Sequence, residues 1–267
     1  MKIKNLPVII FAFLFSTSAF AHEYWLEPEN FFPASNEKTV VHLFVGDGLI
    51  KDREERPFQL NKTPMFQLFS GYKIWDLKSS LQNDAMPIYN FSAERPGNYL
   101  LAMERNWSYV KLEAAKFADY LREDGMEYIL AEREKRGESQ KEARERYSRF
   151  IKSLLQVGGK RDGIYKKQLG LKLEITPLEN PYSKKVGEKL KFQVRFNGEP
   201  LVDRAVFAEN RNADLQKLIT DKKGNITVNL SQNGLWLVRL VVMQRCETDC
   251  GEADWESFWA AFSFGVK

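Results

Sequence analysis

Residues 217–244, KLITDKKGNITVNLSQNGLWLVRLVVMQ, contain three apolar runs separated by two turn signals. The turn signals are Lys223-Gly224-Asn225 and Asn233-Gly234, and both Gly and Asn favour the tight reversals that join antiparallel strands. The runs between them are rich in β-branched residues, which favour strands over helices. This stretch therefore predicts consecutive antiparallel strands and a mainly β protein.

The same pattern extends over residues 167–267 and recurs near the start of the chain. The turn spacing in 167–267 is typical of an immunoglobulin-like or transthyretin-like β-sandwich, and we predict one there as a C-terminal domain. We predict a second, N-terminal β-sandwich domain over 22–112, from TVVHLFVGD (39–47) and from the strand runs on either side of Pro96-Gly97. The fold class is thus mainly β, with two such sandwiches.

Residues 113–166 differ in composition and predict a helical insert or linker between the two domains. The segment is dense in Ala, Glu, Arg, Lys and Leu, which are good helix formers. Apolar residues recur at helical spacing in its first part, and Gly125 predicts a break. A second helix is predicted from Ser139, whose capping box is completed by Glu142, to the glycines at 158–159. Its apolar stripe consists of Tyr147, Phe150, Ile151, Leu154 and Leu155.

Residues 1–21 have the features of a secretory signal peptide. Lys2 and Lys4 precede a short apolar run, and Ala19-Phe20-Ala21 gives the small-x-small pattern that signal peptidase accepts. We therefore expect an exported, soluble protein that begins at His22 and resides in the periplasm. No later apolar run approaches the length of a membrane span.

The charge of the expected mature chain argues against nucleic acid as a partner. Two of the 40 basic residues lie in the signal peptide, which leaves 38 against 36 acidic residues. A nucleic-acid-binding domain would have a basic excess concentrated on one face.

Cys246 and Cys250 are the only cysteines, in the sequence CETDC. Export to an oxidising compartment favours a disulfide between them, which would close a very short loop. A thiolate metal pair is the alternative.

Several segments resemble one family. They are HEYWLEP at the expected mature start, VGD (45–47), RERYSRFIKSLLQVGG, LGLKLEITPLENP, NGEPLVDRAVFAE, TDKKGNITVNLSQNGLWLVRL and ADWESFWAAFSF. Together they resemble a periplasmic DUF-type family of Gram-negative bacteria that has been labelled a NikM-like, substrate-specific component of nickel uptake. The resemblance implies an exported protein with a C-terminal immunoglobulin-like domain and a role in handling transition metals. CETDC has no counterpart in that pattern.

The expected mature terminus has the donor groups of a metal site. A first-residue His offers its α-amino group and its imidazole to one ion, and a second imidazole would complete a three-nitrogen histidine brace suited to Cu(II) or Ni(II). His42 is the only other histidine. Tyr24 occupies the third mature position, so the simpler X-X-His motif for copper and nickel is absent.

The spacing of the two histidines allows a common site. If 22–28 and 39–45 pair as a hairpin centred near Phe32, residues whose numbers sum to 64 lie opposite each other. His22 and His42 would then have Cβ atoms ~5 Å apart on one face. In the alternative interpretation, His22 is an exposed terminal residue and His42 a partly buried strand residue.

Acidic residues provide a further candidate set of ligands. Glu23 and Glu27 flank Trp25, Asp47 follows Gly46, and other acidic residues surround the two cysteines. Carboxylates suit Ca²⁺ or Mn²⁺ better than copper or nickel, and the cysteine-flanking group lacks EF-hand spacing.

The leading hypothesis is a non-catalytic protein that binds or delivers copper or nickel through His22 and His42, without an organic cofactor. The alternative is an envelope module that docks an outer-membrane or other envelope protein without metal. A copper oxidase or monooxygenase acting through the brace is a third reading. No hydrolase or nucleotide-binding motif is present in the sequence.

Overall fold

The computed structural model describes residues 22–49 and 51–267. The predicted signal peptide, 1–21, lies outside the described residues. The first strands are β1 (Glu23–Pro28), β2 (Thr39–Asp47), β3 (Lys51–Glu55), β4 (Met65–Phe69), β5 (Ile74–Asp76), β6 (Tyr89–Phe91), β7 (Gly97–Leu112) and β8 (Ala143–Val157). Two helices, α1 (Ala114–Glu123) and α2 (Glu127–Lys135), connect β7 to β8. The later strands are β9 (Leu173–Pro177), β10 (Lys189–Phe196), β11 (Glu199–Pro200), β12 (Ala205–Asn210), β13 (Gln216–Ile219), β14 (Asn225–Asn229), β15 (Gly234–Arg245) and β16 (Trp255–Val266).

The strands form three sheets. The central sheet has eight strands in the order β13-β12-β15-β16-β8-β7-β4-β5. Its neighbouring strands are antiparallel except for β8 and β16, which are parallel. The N-terminal sheet contains β1, β2, β3 and β6, and the C-terminal sheet contains β9, β10, β11 and β14.

The central sheet lies between the other layers, as the alternation of its side chains shows. Leu100 and Leu154 pack in the cluster shared with the C-terminal sheet. Their neighbours Leu101 and Leu155 pack in the cluster shared with the N-terminal sheet. Successive strand residues point to opposite faces, so the central sheet is covered on both sides. All residues of β16 are buried as a result.

The helices cover the remainder of the face that the N-terminal sheet occupies. Phe117 and Tyr120 of α1 pack with Trp255 and Trp259 of β16, and the rings of Tyr120 and Trp259 stack with centroids 5.9 Å apart. The predicted break at Gly125 is confirmed, because this residue separates α1 from α2 with a φ of +70°. A Cβ atom there would lie 2.4 Å from the side chain of Ala205, so both conformation and space require glycine.

The predicted fold class is confirmed: the protein is mainly β, with a helical segment and sandwich-like packing of sheets. The two sandwiches share the central sheet, which takes strands from each of the three predicted segments. This shared sheet does not test the domain boundaries predicted at 112 and 166, which stay predictions. Among the described residues, no helix has the length and apolar character needed to cross a membrane.

The prediction of a second helix from Ser139 to the glycines at 158–159 is wrong, because Ala143–Val157 is strand β8. Apolar residues spaced three and four apart also occur in a strand that is buried on both faces. Phe150 and Leu154 point towards the C-terminal sheet, while Ile151 and Leu155 point the other way. The long ladders to β7 and β16 override the helix propensity of this segment.

Because the central sheet is buried on both faces, we expect truncation of a large side chain between two sheets to lower the stability of the protein strongly. Phe262 is fully buried on β16, and its ring lies 5.8 Å from that of Phe192 on β10. Phe262→Ala should lower the free energy of unfolding by about 3–5 kcal/mol, measured by urea denaturation. Tyr109→Ala is the control, because Tyr109 is 59% exposed on the same sheet. An equal loss of unfolding free energy in the two variants would contradict the burial of β16 between two layers.

Candidate functional site

The pairing of β1 with β2 separates the two histidines. Glu23 lies opposite Gly46 and Glu27 lies opposite His42, so paired residue numbers sum to 69 and the predicted register of 64 is wrong. His42 is therefore five positions along the ladder from the level of His22, about 17 Å at the rise of a strand. An odd offset also places the two side chains on opposite faces of the sheet. The structure does not bring them together.

The connection between β1 and β2 explains the changed register. The carbonyls of Phe31 and Pro33 accept hydrogen bonds from the amides of Gln156 and Gly158, so the chain continues along the end of β8. The reversal then occurs beyond Pro33, where the amide of Ala34 donates to the carboxylate of Glu37 at 2.7 Å. The reversal therefore lies about two residues later than predicted, which shifts every pair.

His42 lies between two carboxylates at the other end of the pair. Its Nδ1 is 2.7 Å from Glu55 and its Nε2 is 3.3 Å from Glu29. Although burial acts to lower the pKa of His42, the hydrogen bonds with these two carboxylates raise it. The carboxylates contact opposite nitrogens of the ring and so do not converge on one point where an ion would sit.

His22 lies at the start of β1, against the central sheet. Its Nδ1 is 2.6 Å from Oδ1 of Asp47 on β2, and its carbonyl accepts a hydrogen bond from Arg149 of β8 at 3.1 Å. Further along β1, the carbonyl of Leu26 accepts from the hydroxyl of Ser263 on β16 at 2.5 Å. β1 is an edge strand of the N-terminal sheet, and these two hydrogen bonds join its outer edge to the face of the central sheet.

One side of β1 contacts a buried acidic cluster, which we define as Glu23, Asp124 and Glu209 around Arg239. Arg239 on β15 forms ion pairs with all three carboxylates, and the one to Asp124 measures 3.2 Å. The four side chains come from β1, the α1–α2 connection, β12 and β15. The second oxygen of Glu209 accepts from the amide of Leu49 at 2.9 Å. Three carboxyl groups in this cluster therefore share a single cation.

The burial of this cluster changes its protonation. Burial raises the pKa of Glu23, against the attraction of Arg239. Burial and the nearby Glu23 raise the pKa of Asp124 well above its ordinary range. Although burial acts to lower the pKa of Arg239, the three carboxylates together raise it. Arg239 therefore stays charged, and burial disfavours the charged forms of Glu23 and Asp124.

The other side of β1 contacts two buried arginines, which we call the arginine pair. Arg105 of β7 and Arg149 of β8 are direct cross-strand partners, and each is only 6% exposed. The ring of Tyr24 lies 5.0 Å from the first guanidinium carbon and 4.2 Å from the second. The first residues of β1 therefore separate a buried acidic region from a buried basic one.

Glu145 lies two residues before Tyr147 on β8, beneath the helices. Its Oε1 accepts hydrogen bonds from the hydroxyls of Tyr120 and Ser257, while its buried Oε2 has no partner. Burial raises the pKa of Glu145 to about 7, against these two hydrogen bonds. This carboxyl is therefore balanced between its two forms near neutral pH.

The remaining predicted positions lie apart from these groups. Cys246 and Cys250 form the predicted disulfide, with Cα atoms 5.7 Å apart. In the acidic segment after it, Asp254 pairs with Arg144 at 2.8 Å and Glu256 pairs with Arg146 at 2.5 Å. Among the side chains that the structure describes, in 22–49 and 53–267, no three His, Cys, Asp or Glu residues are placed to hold one metal ion.

The raised pKa of Glu145 predicts a specific pH dependence of stability. Between pH 4.5, its ordinary pKa, and pH 7, the folded state holds this proton more tightly than the unfolded state. The contribution of Glu145 to the free energy of unfolding therefore falls as pH rises through this window, by up to about 3 kcal/mol. Glu145→Gln should flatten the fall, measured by urea denaturation at both ends of the window. Glu142→Gln, in the exposed segment before β8, is the control, and a parallel response of both variants would contradict the assignment.

Comparison with known proteins identifies a family. A search of curated proteins gives no significant match. Residues 19–244 match the profile of a domain of unknown function, DUF4198. The matched region includes the β1–β2 pair, the arginine pair and the acidic cluster, and the match carries no link to nickel uptake. Because the match covers most of the chain, the protein belongs to the DUF4198 family.

Proposed function

We propose that the protein is exported, is processed to begin at His22, and binds a divalent transition metal ion at its new terminus. The observation that carries the proposal is the 2.6 Å contact between Nδ1 of His22 and Oδ1 of Asp47. A carboxylate lies beside the imidazole nitrogen that a terminal His uses for chelation.

The proposed donor set differs from a histidine brace. It consists of the α-amino group released by cleavage, Nδ1 of His22 and a carboxylate oxygen of Asp47. The amino group belongs to the main chain, so two side chains suffice for three ligand atoms. Two nitrogens and one oxygen suit Cu(II) or Ni(II), and the open positions would take solvent or a further ligand.

Acidic groups lie on one side of His22 and the arginine pair lies on the other. Glu23 is the next residue and belongs to the acidic cluster, whose carboxylates outnumber its one arginine. The side chain of Asp47 is 50% exposed, so an ion could reach it from solvent. The hydrogen bond from Arg149 to the carbonyl of His22 fixes the main chain, which pre-orients the amino group.

The role proposed is binding and delivery, without a catalytic step. The nickel label that the sequence resemblance carries falls within this proposal, as does copper, because both ions accept the same donors.

Equilibrium titration of the processed protein with Cu²⁺ and with Ni²⁺ tests the proposal. His22→Ala should weaken binding by at least about 100-fold and Asp47→Asn by about tenfold, since each removes one donor group. One extra residue before His22 should weaken binding strongly, because it moves the amino group away from the ring. His42→Ala is the matched control and should leave affinity unchanged.

Two results would contradict the proposal. One is unchanged affinity in both His22→Ala and the extended chain. The other is a loss of affinity in His42→Ala as large as in His22→Ala, which would restore the two-histidine site.

A further inference from the structure

The arginine pair lacks the carboxylate partner that several other buried cations in this protein have. Lys152 pairs with Glu174 at 2.9 Å, Arg146 pairs with Glu256, and Arg239 pairs with three carboxylates. Arg105 and Arg149, by contrast, form no ion pair with any described residue. Two guanidinium groups directly opposite each other repel, and removing them from water costs several kcal/mol each.

The donor groups of the pair are largely unused. Arg105 donates from Nη2 to the side-chain oxygen of Gln59 at 2.6 Å, while its Nε and Nη1 are buried without a partner. Arg149 donates from Nη2 to the carbonyl of His22, while its Nε is buried without a partner. Three guanidinium nitrogens on two adjacent strands therefore lack acceptors among the described residues.

Nearby groups do not neutralise this charge. Glu145 is the carboxyl whose charge interacts with Arg149, but its own pKa is raised to about 7 by burial, so it is partly neutral at that pH. Burial, with Arg149 and Arg56 as like charges, lowers the pKa of Arg105. Arg56, which also interacts with the hydroxyl of Tyr24, has its own carboxylate partner in Glu54 at 2.7 Å.

Aromatic rings cover the faces of the arginine pair, so a ligand would have to bind at the N–H groups in the guanidinium planes. The guanidinium of Arg149 lies 4.2 Å from the ring centre of Tyr24 and 4.6 Å from that of Tyr147. Stacked rings cover the faces of a guanidinium, whereas hydrogen-bond acceptors approach it in its plane. Tyr24 and Tyr147 are themselves only half-buried, so the stack reaches the protein surface.

We propose that Arg105 and Arg149 form a binding site for a small oxyanion, with carboxylate or phosphate chemistry, next to the mature terminus. Planar guanidinium forks match both kinds of group through paired N–H···O bonds. The bound anion would supply acceptors to the unpartnered N–H groups and offset two buried positive charges. The site does not depend on metal binding at His22.

Calorimetric titration of the metal-free processed protein with citrate and with inorganic phosphate tests this proposal. At least one anion should bind, and both Arg105→Met and Arg149→Met should weaken its binding by about tenfold or more. Arg204→Met is the matched control, because Arg204 stacks on Tyr128 at 4.1 Å elsewhere in the protein and should be neutral for binding. Binding of citrate alone would assign the carboxylate class, and binding of phosphate alone the phosphate class.

Thermal unfolding distinguishes an anion-binding role of the arginine pair from a role in stabilising the fold. It gives a result even for a variant that binds no anion. Without anion, Arg105→Met should melt at the same temperature as the wild type or higher, because it removes an unpaired buried charge. The anion should raise the Tm of the wild type and of Arg204→Met, but not that of Arg105→Met. The proposal is overturned if neither anion binds, if both arginine variants bind normally, or if Arg105→Met lowers Tm in the absence of anion.

Discussion

The burial of the central sheet on both faces is the constraint on which the rest of the structure depends. Strands β8, β15 and β16 have neighbours on each side and a further layer above and below. Apolar side chains fill one face almost completely against the C-terminal sheet. The opposite face is shared by the N-terminal sheet and the two helices, which form separate apolar clusters. Charged side chains collect where these two clusters meet.

The first strand lies over this junction and explains why the groups there are segregated by charge. Its free edge rests on the central sheet through the carbonyls of His22 and Leu26. Glu23 then points to Arg239 on one side, and Tyr24 points to the arginine pair on the other. In the proposed processed form, His22 is a terminal residue between an acidic and a basic region, where it can bind a cation and lie beside a bound anion. The position of His22, rather than its partnership with another histidine, supports the proposed function.

The sequence predicts the local features of the fold and fails where contacts are distant. Turn residues and β-branched runs predict the strands, and Gly125 marks the break between the helices. The spacing within 143–157 suggests a helix, because a strand buried on both faces has no polar–apolar alternation to reveal it. The register of β1 with β2 depends on hydrogen bonds from Gln156 and Gly158, which are more than 120 residues away in sequence. Local spacing alone cannot indicate such a constraint.

The candidate site was predictable in part. The A-x-A pattern and the histidine after it single out His22, and two cysteines in an exported chain predict the disulfide. The acidic cluster and the arginine pair could not be assembled from spacing, since their members come from strands far apart in the chain. A usable signal does exist: Arg239 and Arg149 are charged residues inside apolar strand runs, where a charge requires a partner. The sequence can mark such positions but cannot identify the partner.

The most direct test of the account is a crystal structure of the processed protein with copper, with the ion located by its anomalous scattering. We expect one ion about 2.0–2.2 Å from the amino nitrogen of His22, its Nδ1 and a carboxylate oxygen of Asp47, with the carbonyl of His22 still bonded to Arg149. An ion bound instead at His42, or a terminus displaced from Asp47 with no ion beside it, would contradict the account.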